Sequence, residues 1–153
     1  MTGFHIAQIN IARLRHPIDA PESAGFRDNI DRMNALGESQ PGFVWRGTGP
    51  EFDAVDIDGK ADPLLTINTT VWESIEALAA FAYRTDHRDF VRSRSDWFVE
   101  LGRPSLAIWW IEADRVPSLA EGMAKLDLLH RSGPTVEAFD FKTRFESPRS
   151  QLR

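Results

Sequence analysis

The sequence predicts a single α+β domain, because two kinds of apolar periodicity alternate along its 153 residues. Two segments alternate apolar and polar residues as strands do, two further short segments are rich in aromatic and other apolar residues, and three segments repeat apolar residues every three or four positions as helices do. Their order is strand, helix, strand, strand, helix, strand and an extra C-terminal helix. This order uses the split β-α-β unit twice and predicts the ferredoxin-like fold βαββαβ. We expect the domain over residues 1–146 and a disordered tail over 147–153.

Strands are predicted over residues 4–13, 43–48, 64–72 and 104–111, where β-branched and aromatic residues are frequent. In the first strand, Ala7, Ile9 and Ile11 share one face, and this apolar face is expected to pack on the helices. The opposite face carries Gln8 and Asn10 in its middle. The amides are therefore expected on the face of the sheet that lies away from the helices.

Helices are predicted over residues 21–38, from Ser74 through Trp97, and from Pro117 to Gly133. Proline suits the first turn of a helix, and serine suits the N-cap of one, with half of a capping box at Ser74. Residues 49–63 contain glycine, proline and several aspartates, and they are expected to form a loop.

The charge and composition exclude several classes of function. The formal net charge is −5, whereas nucleic acids and anionic membranes select clustered positive charge, so neither partner is expected. The chain has no cysteine, which excludes disulfides and thiolate chemistry. Its longest apolar run, Leu106 to Ile111, is far shorter than the roughly 20 residues that cross a bilayer, and no signal peptide is recognisable. We expect a cytoplasmic protein.

A second copy of the chain is the expected partner. An antiparallel four-stranded sheet of this kind has helices on one face only. The other face would carry Phe4, Ile6, Trp72 and one tryptophan of the Trp109–Trp110 pair, which is a large apolar patch. Stacking two sheets about a two-fold axis would bury both patches in a homodimer. The alternative is that the extra helix and the tail cover this face in a monomer.

The segment from Val71 to His87 resembles the strand-to-helix passage of the dimeric α+β barrel superfamily, which includes the antibiotic-biosynthesis monooxygenases. The chain is most similar to a bacterial family of domains of unknown function in that superfamily. The similar words are AQINIARL at 7–14, PGFVWR at 41–46, the stretch 72–97, Trp109-Trp110, and Gly133-Pro134-Thr135 with Ala138-Phe139. The resemblance implies a homodimer of ferredoxin-like subunits, each with a pocket between sheet and helices. The superfamily includes cofactor-free oxygenases, haem-degrading enzymes, isomerases of small aromatics and a carotenoid monooxygenase.

Tyr83, His87 and Arg94 would lie on one stripe of a continuous helix. His87 is a candidate general base or axial haem ligand, with Tyr83 as a second catalytic candidate. Arg94 and Tyr83 would hold an anionic or phenolic substrate. The alternative is that His87 is a surface residue paired with Asp86 or Asp89.

Gln8, Asn10 and Asn68 would be neighbours if the first and third strands lie side by side. Amides in an apolar cavity can orient a carbonyl or stabilise an oxyanion, so Asn68 is a catalytic candidate and the other two are substrate-binding candidates. The alternative is that these amides hydrogen-bond one another or interfacial water.

Trp72, Trp97 and Trp109 are candidates for the walls of an aromatic site, although tryptophans more often fill the core. Arg46 is a candidate clamp for a substrate carboxylate, or a partner for an aspartate in residues 51–62. The loop aspartates and the histidines lack the spacing of calcium and zinc sites, so no metal is expected.

These features predict a small-molecule, monooxygenase-like enzyme that acts on an aromatic or polyene substrate. Two cofactor states are left open, none or haem. A second hypothesis is a non-catalytic dimeric module that binds a hydrophobic metabolite. A third is a structural dimer whose barrel is filled by side chains.

Overall fold

The computed structural model of the chain describes residues 3–49, 52, 63–84 and 94–148. The strands are β1 Phe4–Leu14, β2 Phe43–Arg46, β3 Leu65–Trp72, β4 Phe98–Val99 and β5 Leu106–Glu112. A 3-10 turn covers Pro21–Ser23, and the helices are α1 Ala24–Arg27, α2 Ile30–Glu38, α3 Ile75–Arg84, α4 Arg94–Trp97 and α5 Leu119–Ser132.

The sheet is antiparallel and has β1 at its centre. Strand β1 pairs with β3 on one side and β5 on the other, and β2 pairs with the outer edge of β3. The resulting order β2-β3-β1-β5 is that of a ferredoxin-like α+β fold, as predicted. Strand β4 extends the far end of β1, where Arg13 faces Val99 and Leu14 faces Phe98. Two residues are too few for a recognisable alternation, so β4 was missed.

The face of the sheet that carries Gln8, Asn10 and Asn68, here called the amide face, lies beneath α3. Apolar residues of this face pack with the buried side of α3 in one cluster, which contains Ile6, Trp72, Ile108, Ile75 and Leu78. Helix α2 lies beside α3 and packs closely against it: a Cβ on Gly37 would be 3.2 Å from the Phe81 ring. The prediction that the amides lie away from the helices was therefore wrong. The physical reason is that the amides form hydrogen bonds with one another, so their presence does not indicate a solvent-exposed face.

The opposite face of the sheet is covered by α5. Ile9 and Trp109 pack there with Leu126 and Leu129 of the helix. Helix α5 comes close to the sheet at Gly122, where a Cβ would meet Ile9 Cδ1 at 2.8 Å. The apolar face of β1 thus packs on a helix as predicted, and that helix is the extra C-terminal one.

The predicted exposed patch is absent from the described part of the chain. Ile6 is 0% exposed, and Trp72 and Trp109 are each 1% exposed in a single chain. The two tryptophans lie on opposite faces, since Trp109 faces Ala7 and Trp72 faces Ile6 in the strand register. The patch argument for pairing was wrong because α3 and α5 bury both faces. The homodimer itself stays a prediction.

The C-terminal segment, which comprises residues 135–148, pairs with the outer edge of β5. Phe139 and Ile108 exchange two backbone hydrogen bonds of 2.8 Å, and the Phe139 side chain is 0% exposed. The indole Nε1 of Trp110 donates to the carbonyl oxygen of Phe145 at 2.9 Å. This segment therefore covers a sheet edge that would otherwise present unpaired backbone groups. Of the predicted disordered tail, residues 149–153 lie outside the described residues.

One helix prediction changed in detail, and the cap of another was confirmed. The helix predicted over 21–38 is interrupted, because Asn29 Nδ2 donates to the Gly25 carbonyl at 2.8 Å and competes with regular helical bonding. Ser74 Oγ accepts from Ala77 N at 3.1 Å, which confirms the predicted cap. The continuation of that helix through residues 85–93, and most of the loop predicted over 49–63, lie outside the described residues.

Candidate functional site

A cavity of about 890 Å³ lies between the amide face, the helices and the C-terminal segment. Such a volume lies within the range of sites for small molecules. Its walls are largely apolar and include Phe26, Ile30, Met33, Phe81, Leu106 and Phe141. The described residues of a single chain thus leave a cavity, whereas the third hypothesis predicts a barrel filled by side chains.

Asn10 and Asn68 form the polar floor of the cavity. They lie directly opposite each other in the β1–β3 register, and Gln8 lies opposite Thr70 one step further along. Gln8 Nε2 donates to Asn68 Oδ1 at 2.9 Å and to Thr70 Oγ1 at 2.7 Å. Asn10 Nδ2 donates to Gln8 Oε1 at 3.0 Å and to Asn68 Oδ1 at 3.3 Å. These four residues, here called the amide ladder, confirm the alternative that the amides bond one another.

The ladder leaves one donor and one acceptor group for a ligand. Asn68 Nδ2 and Asn10 Oδ1 have no hydrogen-bond partner among the described residues, and both asparagines are half-buried and line the cavity. The bonds that hold the other atom of each amide fix the plane of the group. An N–H donor and a carbonyl acceptor are thereby presented side by side on an apolar surface.

Gln8 and Trp72 support the floor from behind and do not line the cavity. Gln8 is 2% exposed and Trp72 is 1% exposed. Trp72 Nε1 donates to Thr70 Oγ1 at 2.9 Å, so the indole extends the ladder. The Trp72 ring stacks on Phe81, with centroids 5.4 Å apart, and Phe81 is part of the cavity wall. Neither residue is therefore placed to contact a molecule in the cavity, and both contact residues that line it.

Charged and phenolic groups lie at the edge of the cavity. Tyr83 lines it, is 53% exposed, and meets Phe141 edge-on at 5.3 Å between ring centroids. Arg94 and Lys142 also line it, and neither has an ion-pair partner in the part of the chain that the structure describes. Arg46 lines it too, but its Nε is 3.0 Å from Glu38 Oε1, so that charge is partly neutralised.

Lys142 is a site residue that sequence reasoning missed. It reaches the cavity because the pairing of Phe139 with β5 leads the next residues along the cavity wall. A single bridge of this kind has no periodic signature, and no pattern in the sequence points to it.

Two further predicted site residues, Trp97 and Trp109, lie elsewhere. Trp97 packs against Phe26 at 5.9 Å between ring centroids and does not line the cavity. Trp109 lies on the α5 face, where its Nε1 donates to Glu121 Oε2 at 2.9 Å. His87 lies outside the described residues.

The haem prediction depends on His87. None of the other histidines, His5, His16 and His130, lines the cavity. The described residues therefore offer no histidine to a haem iron in this cavity.

Within the same residues, no group of three or more histidine, aspartate or glutamate side chains is arranged to hold a metal ion. No helix there is long and apolar enough to cross a membrane.

Several solved structures are similar to the chain in fold. SnoaB of Streptomyces nogalater, described as a cofactor-independent oxygenase, is 14% identical, with 76% of this chain and 98% of that chain covered and a TM-score of 0.47. A ferredoxin-like dabb family protein of Mesorhizobium loti is also 14% identical, with 74% and 99% covered and a TM-score of 0.43. A Nitrosomonas europaea protein, provisionally described as an antibiotic biosynthesis monooxygenase, is 16% identical, with 73% and 89% covered and a TM-score of 0.44.

No curated protein matches the chain. One family model does match it, over residues 5–153, and its description is a domain of unknown function, DUF3291. The match covers nearly the whole chain and confirms the prediction of such a family. The chain belongs to the DUF3291 family.

Proposed function

We propose that the cavity binds a flat, hydrophobic or aromatic small molecule that carries at least one oxygen. The observation that supports this is the pair of unpartnered amide groups, Asn68 Nδ2 and Asn10 Oδ1, on the floor of an apolar cavity of about 890 Å³. Apolar walls favour a hydrophobic ligand, and a few fixed polar groups orient it.

We propose further that dioxygen oxidises the bound molecule in a monooxygenase-like reaction, in which one oxygen atom enters the ligand and the other leaves as water with two hydrogens from the ligand. The Asn68 amide would donate to a ligand oxygen that becomes negative when the neighbouring carbon or the oxygen itself loses a proton. A fixed donor at such a position stabilises the anion relative to water. Tyr83 lines the same cavity, and His87 stays the predicted base. The resemblance to the monooxygenases over residues 71–87 supports this step.

Oxygen uptake with 1,4-naphthohydroquinone tests the reaction. The wild-type chain should consume oxygen faster than the spontaneous background, and Asn68→Ala should lower the rate about a hundredfold, as loss of one oxyanion donor does. Val44→Ala, at an exposed position of β2 outside the cavity, is the matched control and should leave the rate unchanged.

The non-catalytic binding module is the alternative outcome. Saturable binding of aromatic ligands, with no oxygen uptake for any quinol or polyene, would overturn the enzyme proposal and leave the binding proposal standing. Absence of binding as well would overturn both.

We also propose that two copies of the chain associate, as the resemblance implies. Light scattering on the eluting peak of a sizing column tests this, and a mass twice 17.3 kDa is the expected result. A mass of one chain would overturn it. Three further statements stay predictions: the protein is bacterial, it is cytoplasmic, and residues 1–146 form a single domain.

A further inference from the structure

We propose that Gln8 is a positioning residue that allows the cavity floor to reverse its hydrogen-bond polarity. The inference rests on the proposed binding function of the cavity. It follows from the geometry of the amide ladder, because the nitrogen and oxygen of a carboxamide have nearly the same shape and exchange places when the group turns by half a revolution.

In one direction, the ladder has four hydrogen bonds among its side chains. Gln8 Nε2 donates to Asn68 and Thr70, and Asn10 Nδ2 donates to Gln8 and Asn68. The cavity then faces the Asn68 amino group and the Asn10 carbonyl oxygen. The hydroxyl hydrogen of Thr70 has no acceptor within the ladder, since Gln8 and Trp72 both donate to Thr70 Oγ1.

Turning all three amides gives an equally complete ladder on the same heavy-atom positions. Asn68 would then donate to Gln8 and to Asn10, Gln8 would donate to Asn10, and the Thr70 hydroxyl would donate to Gln8. This is again four bonds over the same contacts, and Trp72 still donates to Thr70. One N–H of Gln8 is left over in place of the Thr70 hydroxyl hydrogen. The two directions therefore contain the same number of hydrogen bonds, and each leaves one donor of the ladder unused.

Reversal changes what the cavity offers to a ligand. In the second direction, Asn68 presents its carbonyl oxygen and Asn10 presents its amino group. A ligand with a carbonyl above Asn68 selects the first direction, and a ligand with a hydroxyl or N–H donor there selects the second. Gln8 couples the two asparagines because it contacts Asn10, Asn68 and Thr70 at once. The floor thus fits molecules that carry oxygen either as carbonyl or as hydroxyl.

Two tricyclic probes of matched shape test the inference by equilibrium dialysis. Fluorenone carries only an acceptor, and carbazole carries only an N–H donor. The wild-type chain should bind both, because either direction of the ladder offers one donor and one acceptor, and its ratio of dissociation constants is the reference for the variants. Gln8→Glu removes this freedom, since a carboxylate only accepts: Asn10 already directs its amino group at this position, and Asn68 must turn to do the same, which breaks the Asn10–Asn68 bond. Two carbonyl oxygens then face the cavity, and carbazole should be preferred by about tenfold.

We expect the glutamate of this variant to be ionised when binding is measured at about pH 8, because donors from Asn10, Asn68 and Thr70 surround it and oppose the effect of burial on its pKa. Asn10→Asp is the second variant, at a half-buried position that tolerates charge better. Its carboxylate accepts from Gln8 and Asn68 and fixes the second direction, so it should show the same shift toward carbazole.

The outcomes separate this inference from the proposed function. If either variant keeps the wild-type ratio while both probes still bind, the ladder is fixed and the inference fails while ligand binding stands. If neither probe binds to the wild-type chain, the proposed function fails and this inference fails with it. A merely structural role of Gln8 would lower both affinities equally and leave their ratio unchanged.

Discussion

Asn10 Nδ2 donates a 3.3 Å hydrogen bond to Asn68 Oδ1 across the β1–β3 pair, at the floor of the cavity. The two residues are 58 positions apart in sequence, and the antiparallel register alone brings them together. Because each amide is held through one atom, the other atom is directed at a ligand with little loss of side-chain freedom on binding. The β1–β3 register would therefore set the selectivity of the proposed ligand site, and residues that stabilise the register are expected to matter for binding.

Thr70→Val should destabilise the fold by about 2 kcal/mol, because it removes the acceptor for two buried donors. These donors are Trp72 Nε1 and Gln8 Nε2, and valine matches threonine in shape. The free energy of unfolding in urea measures the effect. Thr66→Val is the matched control on the same strand, where the half-buried hydroxyl only donates to the Ala12 carbonyl. Equal costs for the two variants would contradict the special position of Thr70.

Gly42→Ala should cost about 2–4 kcal/mol, since both backbone strain and a steric clash oppose it. Gly42 has φ of 88°, and a Cβ there would lie 2.6 Å from Ala77 Cβ at the start of α3. Gly102→Ala is the matched control, with φ of 71° and nothing within 4 Å, and should cost only about 1 kcal/mol. A double-mutant cycle with Ala77→Gly isolates the clash, and zero coupling would show that the contact is not made.

The alternation of β1 and β3 was enough to predict that Gln8, Asn10 and Asn68 lie together, because side chains of neighbouring antiparallel strands face the same way in register. The choice of the face that meets the helices was not predictable. Both faces are mostly apolar, and an amide that bonds another amide can be buried without leaving its polar atoms unpaired. In the same way, alternation cannot say which of Trp109 and Trp110 packs beneath α5.

Other features were missed because they depend on single contacts. The break between α1 and α2 depends on one bond from Asn29 to Gly25, and the Lys142 side chain reaches the cavity through one bridge at Phe139. Neither contact repeats along the chain, so neither has a periodic signal.

Trp110→Phe should loosen the C-terminal segment without unfolding the domain. The variant removes the N–H that donates to the Phe145 carbonyl but keeps an aromatic ring of similar packing. The Phe139 amide, which donates to Ile108 at 2.8 Å, should exchange its hydrogen about five- to tenfold faster, while global stability falls by no more than about 1.5 kcal/mol. Trp45→Phe is the matched control, because no hydrogen bond of the Trp45 indole is seen within the described residues. Unchanged exchange at Phe139 would show that the Trp110 bond does not hold the segment.

Arg94 and Lys142 should give the cavity a preference for ligands with an anionic group at the outer end. Both residues are exposed, line the cavity and have no ion-pair partner in the ranges that the structure covers. The wild-type chain should therefore bind 2-naphthoate about fivefold more tightly than the neutral, equally sized 2-naphthamide at low salt. The preference should disappear at about 1 M salt, where the Debye length is about 3 Å.

Arg94→Gln and Lys142→Gln should each lower the preference for 2-naphthoate about two- to threefold, because exposed charge pairs contribute little individually. The affinity for 2-naphthamide should stay the same in both variants, since neither glutamine changes the apolar walls. Lys125→Gln is the matched control, because Lys125 lies on α5 and does not line the cavity. If Lys125→Gln lowers the preference as much as the other two, the effect comes from the net charge of the protein, and Arg94 and Lys142 do not contact the ligand.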